Sequence, residues 1–168
     1  MRSYQVFAAM TPERAIAFLR MLQEKSPAAF ATALHAASAA LRARPVYLQR
    51  QPFEKRAAAV RRALSRVQAN ALAEEMLALY FLECRKDLLV EWLDAAGIAH
   101  EGGVLKEASP PEPPAEKLRG AVDAFRKGED AEERELLMQA FAAQSVVDWP
   151  ALERLISPVR DEPAPGRS

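Results

Sequence analysis

Five carboxylates in the middle of the chain have the residue types and the spacing of a divalent-metal site. Asp87, Glu91 and Asp94 are separated by four and then three residues, so a helix over this segment places them on one face. Glu74 and Glu75 precede them on what is expected to be a neighbouring helix. Helical bundles hold Mg²⁺ or Mn²⁺ between facing carboxylates in this way. These five residues are therefore the candidate metal ligands.

The stretch Glu91-Trp92-Leu93-Asp94 resembles half of the E-x-x-D pattern of all-α nucleotide pyrophosphatases. The likeness covers these four residues only, because the E-x-x-E half expected upstream is missing and Glu74 and Glu75 are adjacent. A metal-dependent all-α nucleotide phosphohydrolase is accordingly one alternative function. The opposite side of the same helix is apolar, which favours an ordinary amphipathic helix with a solvated acidic face.

The segment 42–66 is strongly basic. It holds eight Lys and Arg residues against the single acid Glu54, and Tyr47 and Phe53 lie among them. Clustered cations bind nucleic-acid phosphates, and aromatic side chains provide surfaces on which the bases of a single strand stack. The pI of about 6.8 is unlike that of most dedicated nucleic-acid-binding proteins, so nucleic acid is the alternative partner. The candidate contacts with nucleic acid or an acidic partner are Arg50, Lys55, Arg61, Arg62 and Arg66.

The remaining reactive side chains do not support an enzyme. Cys84, the only cysteine, lies in an apolar stretch and is expected to be buried as a small apolar residue. His35 is expected on a helix surface, and His100, beside Glu101 in a Gly-rich loop, has too few neighbouring ligands for a metal site. The chain has no G-x-S-x-G motif and no Gly-rich phosphate loop. No catalytic residue and no cofactor is predicted.

Charge divides the chain into two parts of opposite sign. Residues 1–68 hold 12 Lys and Arg against three Glu, and residues 69–168 hold the compensating excess of acids, since the formal net charge of the chain is zero. Such an asymmetry indicates one surface for an acidic partner and another for a basic one. We therefore expect a non-enzymatic interaction protein, an adaptor or regulatory bundle. Its complementary surfaces are expected to meet within the monomer or by self-association.

Helix start signals and apolar spacing recur through the first half of the chain. Thr11 followed by Pro12 predicts the beginning of a helix, and Ser26 followed by Pro27 repeats the signal. Apolar residues at intervals of four, three, four and three predict a third helix over 53–67. The segment 70–82 is apolar on nearly every side and predicts a central helix, which the sequence allows to continue into 87–96.

The second half begins with turn and connector signals. Gly97 followed by Ile98 predicts a Schellman end for the preceding helix, and the glycine pair in 100–105 predicts a small hairpin. The proline-rich residues 109–114 predict an extended connector. Shorter helices are expected after it, and Asp130 with Glu133 has the spacing of a capping box at the start of one of them.

These elements predict a single-domain, all-α protein, an irregular helical bundle of seven or eight helices. Residues 1–98 are expected to form the main bundle, 99–115 a connector, 116–156 a helical extension packed on the bundle, and 157–168 a disordered tail. No stretch is apolar for long enough to span a membrane, so a cytoplasmic protein without a membrane partner is expected. The heavy use of Ala and Arg is typical of a GC-rich bacterial genome.

Overall fold

Helices dominate the structure, a computed structural model that describes residues 1–156. Within this range the chain forms ten α-helices, one 3₁₀ turn and one two-stranded hairpin, which confirms the all-α prediction and exceeds the expected seven or eight helices. None of these helices combines the length and the apolar character that crossing a bilayer requires. The predicted disordered tail, 157–168, lies outside the described residues. The elements are α1 Ser3–Ala9, α2 Pro12–Lys25, α3 Pro27–Ala40, α4 Pro45–Gln49, α5 Phe53–Leu64, the 3₁₀ turn Val67–Ala69, α6 Asn70–Cys84, α7 Lys86–Ala95, β1 His100–Glu101, β2 Val104–Leu105, α8 Ala115–Arg126, α9 Ala131–Ala142 and α10 Pro150–Ile156.

Two of the ten helices, α1 and α4, were not expected from the sequence. They are seven and five residues long, too short for a repeated apolar spacing to mark them. α1 is held by its packing, because Val6 and Phe7 are buried in the core. α4 buries only Leu48, so the rest of that helix faces outward.

The central apolar segment forms α6, which is a separate helix from α7. α6 ends at Cys84, and Arg85 has φ −136° and ψ 45°, outside the helical region, before α7 starts at Lys86. The continuous helix that the sequence allowed is therefore interrupted at Arg85. The interruption redirects α7 so that it packs against α8 and α9 as well as α6.

The predicted end of α7 and the predicted hairpin are both present. Gly97 adopts φ +71°. The Ile98 amide donates to the Leu93 carbonyl at 2.9 Å, and the Gly97 amide donates to the backbone carbonyl of Asp94 at 3.1 Å. This is the hydrogen-bond pattern of a Schellman motif. In the hairpin, His100 pairs with Leu105 in antiparallel register.

The helices pack in two groups around one continuous apolar core. α3, α4 and α5 pack on one another, and α2 packs on α3 and α5. On the other side, α8, α9 and α10 pack on one another, with α7 against α8 and α9. α6 contacts both groups, as the central position predicted for it requires, and α1 joins α5 and α6 to α9. Burial of the apolar side chains of this core supplies the main driving force for folding.

The proline-rich connector is fastened along the start of α10. The indole nitrogen of Trp149 donates to the Pro110 carbonyl at 2.9 Å, and the Ala151 amide donates to the Glu112 carboxylate at 2.8 Å. The Ser109 hydroxyl donates to the Val146 carbonyl at 2.9 Å. The connector therefore secures α10 in addition to joining the hairpin to α8.

Candidate functional site

The basic segment is largely exposed and has no acidic partners among residues 1–156. Among residues 1–156, none of the eight cations between positions 42 and 66 forms a salt bridge with a carboxylate. Six of them are exposed, and we call these six the basic surface: Arg42, Arg44, Arg50, Lys55, Arg62 and Arg66. The charge pairing within the monomer that the sequence suggested is therefore absent from the described part of the chain.

Carbonyl groups at helix ends, rather than carboxylates, bind two of the eight cations between positions 42 and 66. Arg61 donates from Nη2 to the Ala8 carbonyl at 3.2 Å, and Arg66 donates from Nη1 to the Ala40 carbonyl at 2.8 Å. Both carbonyls belong to the last turn of a helix, where the partial charge is negative. These contacts orient the two side chains and leave their positive charges uncompensated by any formal negative charge.

Apolar side chains are exposed among the same cations. Val46 and Tyr47 on α4 are 55% and 60% exposed, and Val67 in the 3₁₀ turn is 59% exposed. Arg66, next to Val67, reaches the end of α3 through its bond to Ala40, so this turn lies near the connection between α3 and α4. Exposed apolar residues bordered by charge are typical of an interaction surface.

The five candidate metal ligands are not brought together. Glu91 binds the Arg134 guanidinium through two hydrogen bonds of 2.9 and 3.0 Å, and Glu74 accepts hydrogen bonds from the amide and hydroxyl of Ser145. Asp87 accepts from Arg85, and Asp94 lies 2.7 Å from the His100 ring nitrogen. Glu75 is exposed.

Two of the five carboxylates, Glu91 and Asp87, are therefore balanced by separate arginines, Arg134 and Arg85. The Arg85 hydrogen bond lowers the pKa of Asp87, which keeps that carboxylate charged. Within residues 1–156, no three His, Cys, Asp or Glu side chains are placed to hold a metal ion. The predicted metal site, and with it the phosphohydrolase alternative, gains no support from this geometry.

A buried ionic cluster joins α2, α6 and α9, and the sequence analysis did not identify it. The Tyr80 hydroxyl lies 2.9 and 3.0 Å from the two carboxylate oxygens of Glu133, which also binds the Arg14 guanidinium. Arg85 approaches the same carboxylate at 3.9 Å and pairs with Asp130 at 3.0 Å. Burial raises the pKa of Tyr80 in spite of the opposing charge of Arg14. One signal in the sequence was available: Glu133 continues, at helical spacing, the apolar stripe of α9.

The same cluster explains why the predicted capping box does not form. Asp130 has φ 61° and ψ 53°, and its side chain makes no capping hydrogen bond to α9. The Asp130 carboxylate binds Arg85, and the Glu133 carboxylate binds Tyr80 and Arg14. Both acids are engaged by groups distant in sequence, and the left-handed backbone of Asp130 differs from the extended conformation that a capping residue adopts.

A second polar cluster fixes the turn between α8 and α9. Arg134 is buried, and its guanidinium lies 4.7 Å from the centre of the Phe125 ring. It donates to the Glu91 carboxylate. It also donates to the backbone carbonyl of Glu129 at 2.6 Å and to that of Phe125 at 3.1 Å. These bonds tie α7 to the turn and satisfy a charge that would otherwise be costly to bury.

The structure places the single cysteine and the two histidines on different elements. Cys84 is half-buried, less than predicted, and burial raises the pKa of its thiol. His35 is exposed on α3, as expected. The His100 Nδ1 accepts a hydrogen bond from the Gly103 amide, so the neutral ring carries its proton on Nε2 and donates to Asp94. His100 thereby links the hairpin to the end of α7.

Comparison of the chain with models of protein families, with curated proteins and with solved structures finds no match.

Proposed function

We propose that this protein is a non-enzymatic interaction protein, an adaptor or regulatory module, and that it binds an acidic protein surface through the basic surface. One observation carries the proposal: the six exposed cations have no carboxylate partner among residues 1–156, while apolar side chains are exposed beside them. Uncompensated charge of one sign attracts a partner of the opposite sign and speeds its encounter.

The composition of the basic surface suits a protein partner. Tyr47 and the arginines beside it are residue types that dominate the binding energy of protein interfaces. Val46 and Val67 add apolar area that a phosphate backbone would not use. Five of the six cations are arginines, whose planar guanidinium groups bind carboxylates through two parallel hydrogen bonds.

A second copy of this chain is the partner that the charge distribution favours. Residues 69–168 carry the acidic excess that balances residues 1–68, and no carboxylate in the described part, residues 1–156, pairs with the basic surface within one monomer. Contact between the basic surface of one copy and the acidic part of another is head-to-tail. Such an interface uses two different patches, so it builds rings or chains rather than a symmetric dimer.

The test is light scattering after size-exclusion chromatography across a salt series. The basic-surface variant is Arg42→Glu with Arg44→Glu and Arg50→Glu, and a control variant reverses three exposed cations elsewhere, Lys106, Arg119 and Lys127, which gives the same change in net charge. We expect wild type and control to associate at about 50 mM salt and to dissociate near 500 mM, because screening shortens the reach of charge. The basic-surface variant is expected to stay monomeric.

A parallel fluorescence titration distinguishes the other partners. Polyglutamate represents an acidic protein, and single- and double-stranded oligonucleotides represent nucleic acid. Oligonucleotide binding at about 150 mM salt that the basic-surface variant loses would replace the proposal with the nucleic-acid alternative. A monomer that binds neither polyglutamate nor oligonucleotide at low salt would refute the role of this surface altogether.

A further inference from the structure

A cleft separate from the basic surface lies between α2, α3, α4 and α5. Its volume is about 230 Å³, room for a small organic molecule. Apolar side chains form part of its wall, and four polar side chains border it. The lining residues that matter here are Phe30, Leu34, Gln23, His35, Gln49 and Arg56.

The four polar side chains have no hydrogen-bond partner in the part of the chain that the structure describes. Among residues 1–156, the side chains of Gln23, His35, Gln49 and Arg56 make no hydrogen bond, and the buried Nε of Arg56 has no acceptor. His35 and Gln49 face solvent, whereas Arg56 is half-buried and lines the cleft with a guanidinium that no carboxylate or carbonyl among residues 1–156 accepts from. No carboxylate lines the cleft within the described part of the chain.

Aromatic stacking fixes the position of the Arg56 charge. The guanidinium carbon lies 5.9 Å from the centre of the Phe30 ring and 5.4 Å from that of Phe53, and the two rings stack at 5.7 Å. Cation–π contact orients a guanidinium and leaves its N–H groups free to donate. Arg56 is thus oriented toward an anion that no carboxylate among residues 1–156 supplies.

We propose that this cleft binds a small oxyanion, a carboxylate or a phosphate, carried on a compact apolar body. Arg56 binds the anionic group, and the amides of Gln23 and Gln49 with the imidazole of His35 supply further polar contacts. Phe30 and Leu34 contact the apolar body of the ligand. A few oriented polar groups on an apolar wall are the usual composition of a small-molecule site. The inference is independent of the proposed protein partner, because it uses none of the six cations of the basic surface.

Four probes identify the ligand chemistry: phenyl phosphate, benzoate, inorganic phosphate and benzyl alcohol. Binding is followed by amide chemical shifts in a ¹⁵N NMR titration to about 10 mM ligand, a range that covers weak small-molecule affinities. We expect shifts confined to residues around the cleft, with phenyl phosphate or benzoate at least about tenfold tighter than inorganic phosphate, because the apolar body is buried. Which of the two aromatic anions binds better distinguishes a phosphate from a carboxylate ligand.

Two variants and one matched control test the role of Arg56. Arg56→Gln removes the charge, and Gln49→Glu places a repelling carboxylate at the cleft while leaving the stacked rings intact. Arg62→Gln removes an exposed charge on the same helix outside the cleft. We expect each cleft variant to weaken binding of the aromatic anions by at least about tenfold and Arg62→Gln to leave it unchanged. Circular dichroism checks that the variants fold.

Three results would overturn the proposal. The first is no shift with either aromatic anion at about 10 mM. The second is equal weakening in Arg56→Gln and Arg62→Gln, which would show unspecific attraction to positive charge. The third is a failure to discriminate among the probes. Equal affinity for inorganic phosphate and phenyl phosphate would show that the apolar body does not contribute to binding, and tight binding of benzyl alcohol would show that the anionic group does not.

Discussion

The hydroxyl of Tyr80 donates to the carboxylate of Glu133 across the interface between α6 and α9, 2.9 and 3.0 Å from its two oxygens. The Phe18 ring stacks on the Tyr80 ring, with the ring centres 4.0 Å apart. Two guanidinium groups, from Arg14 and Arg85, balance the carboxylate. The cluster thus connects α2 and α6 to the first turn of α9.

Neutralising Glu133 is expected to destabilise the fold. Glu133→Gln leaves Arg14 without its buried counter-ion, and uncompensated buried charge costs about 3 kcal/mol in the free energy of unfolding. Urea denaturation measures the change, with the exposed neighbour Glu132→Gln as the control, for which we expect less than about 0.5 kcal/mol. Equal effects in the two variants would show that the cluster contributes nothing specific.

Tyr80 is expected to make stability depend on pH in the alkaline range. Burial raises the pKa of Tyr80 in the folded protein, so the folded state holds the phenolic proton more tightly than the unfolded chain does. Its contribution to stability is therefore complete below the ordinary value of about 10 and is lost as the pH rises through the folded value.

The measurement is urea denaturation in steps from about pH 9 to 11.5, a range that brackets tyrosine ionisation. We expect the free energy of unfolding of wild type and of the control Tyr4→Phe to fall more steeply with pH than that of Tyr80→Phe. The same slope in all three proteins would assign the alkaline loss of stability to other groups.

Two glycines on different elements are expected to respond oppositely to alanine. Gly97 has φ +71° at the end of α7, where a side chain is strained, so Gly97→Ala should cost about 1 kcal/mol. Gly120 lies inside α8 with no atom within 4 Å of an added Cβ, so Gly120→Ala should gain about 0.5–1 kcal/mol through helix propensity. Thermal unfolding of both variants compares the two directly. A stabilising Gly97→Ala would contradict the Schellman assignment.

Removing Arg134 is expected to loosen the turn between α8 and α9. Arg134→Met keeps much of the apolar stem but leaves the carbonyls of Phe125 and Glu129 without this donor, which should cost about 2–3 kcal/mol. Amide hydrogen exchange should accelerate in the turn more than in α3. Arg119→Met, at an exposed site on α8, serves as the control. Unchanged exchange in the turn would show that packing alone fixes it.

Local signals in the sequence were sufficient to predict most of the helices. Thr11 with Pro12, Gly97 with Ile98, and the glycine pair of the hairpin act through neighbouring backbone, so their consequences can be derived from a few residues. The short helix α1 lacked such signals because its packing is on the distant helices α5, α6 and α9, whereas α4 begins at Pro45 and packs on its neighbours α3 and α5.

The partners of charged side chains were not predictable in the same way. Glu91 and Asp94 share a helical face, and each is bound by a side chain on another element, Arg134 for Glu91 and His100 for Asp94. The spacing in α7 identified which side chains lie together on the helix and could not indicate which groups from α9 or the hairpin approach them. The cleft at Arg56 was missed for the same reason, since four separate helices form it.

The distribution of charge between the two helical groups makes the molecule a permanent electric dipole. The formal net charge is zero, so an approaching ion feels no overall monopole, and the leading long-range term is the dipole between the basic end at α3–α5 and the acidic remainder. A dipole field decays faster with distance than that of a net charge, and it exerts a torque. Before contact, long-range electrostatics therefore orient the protein more than they attract it, and any charged partner meets it in a preferred orientation.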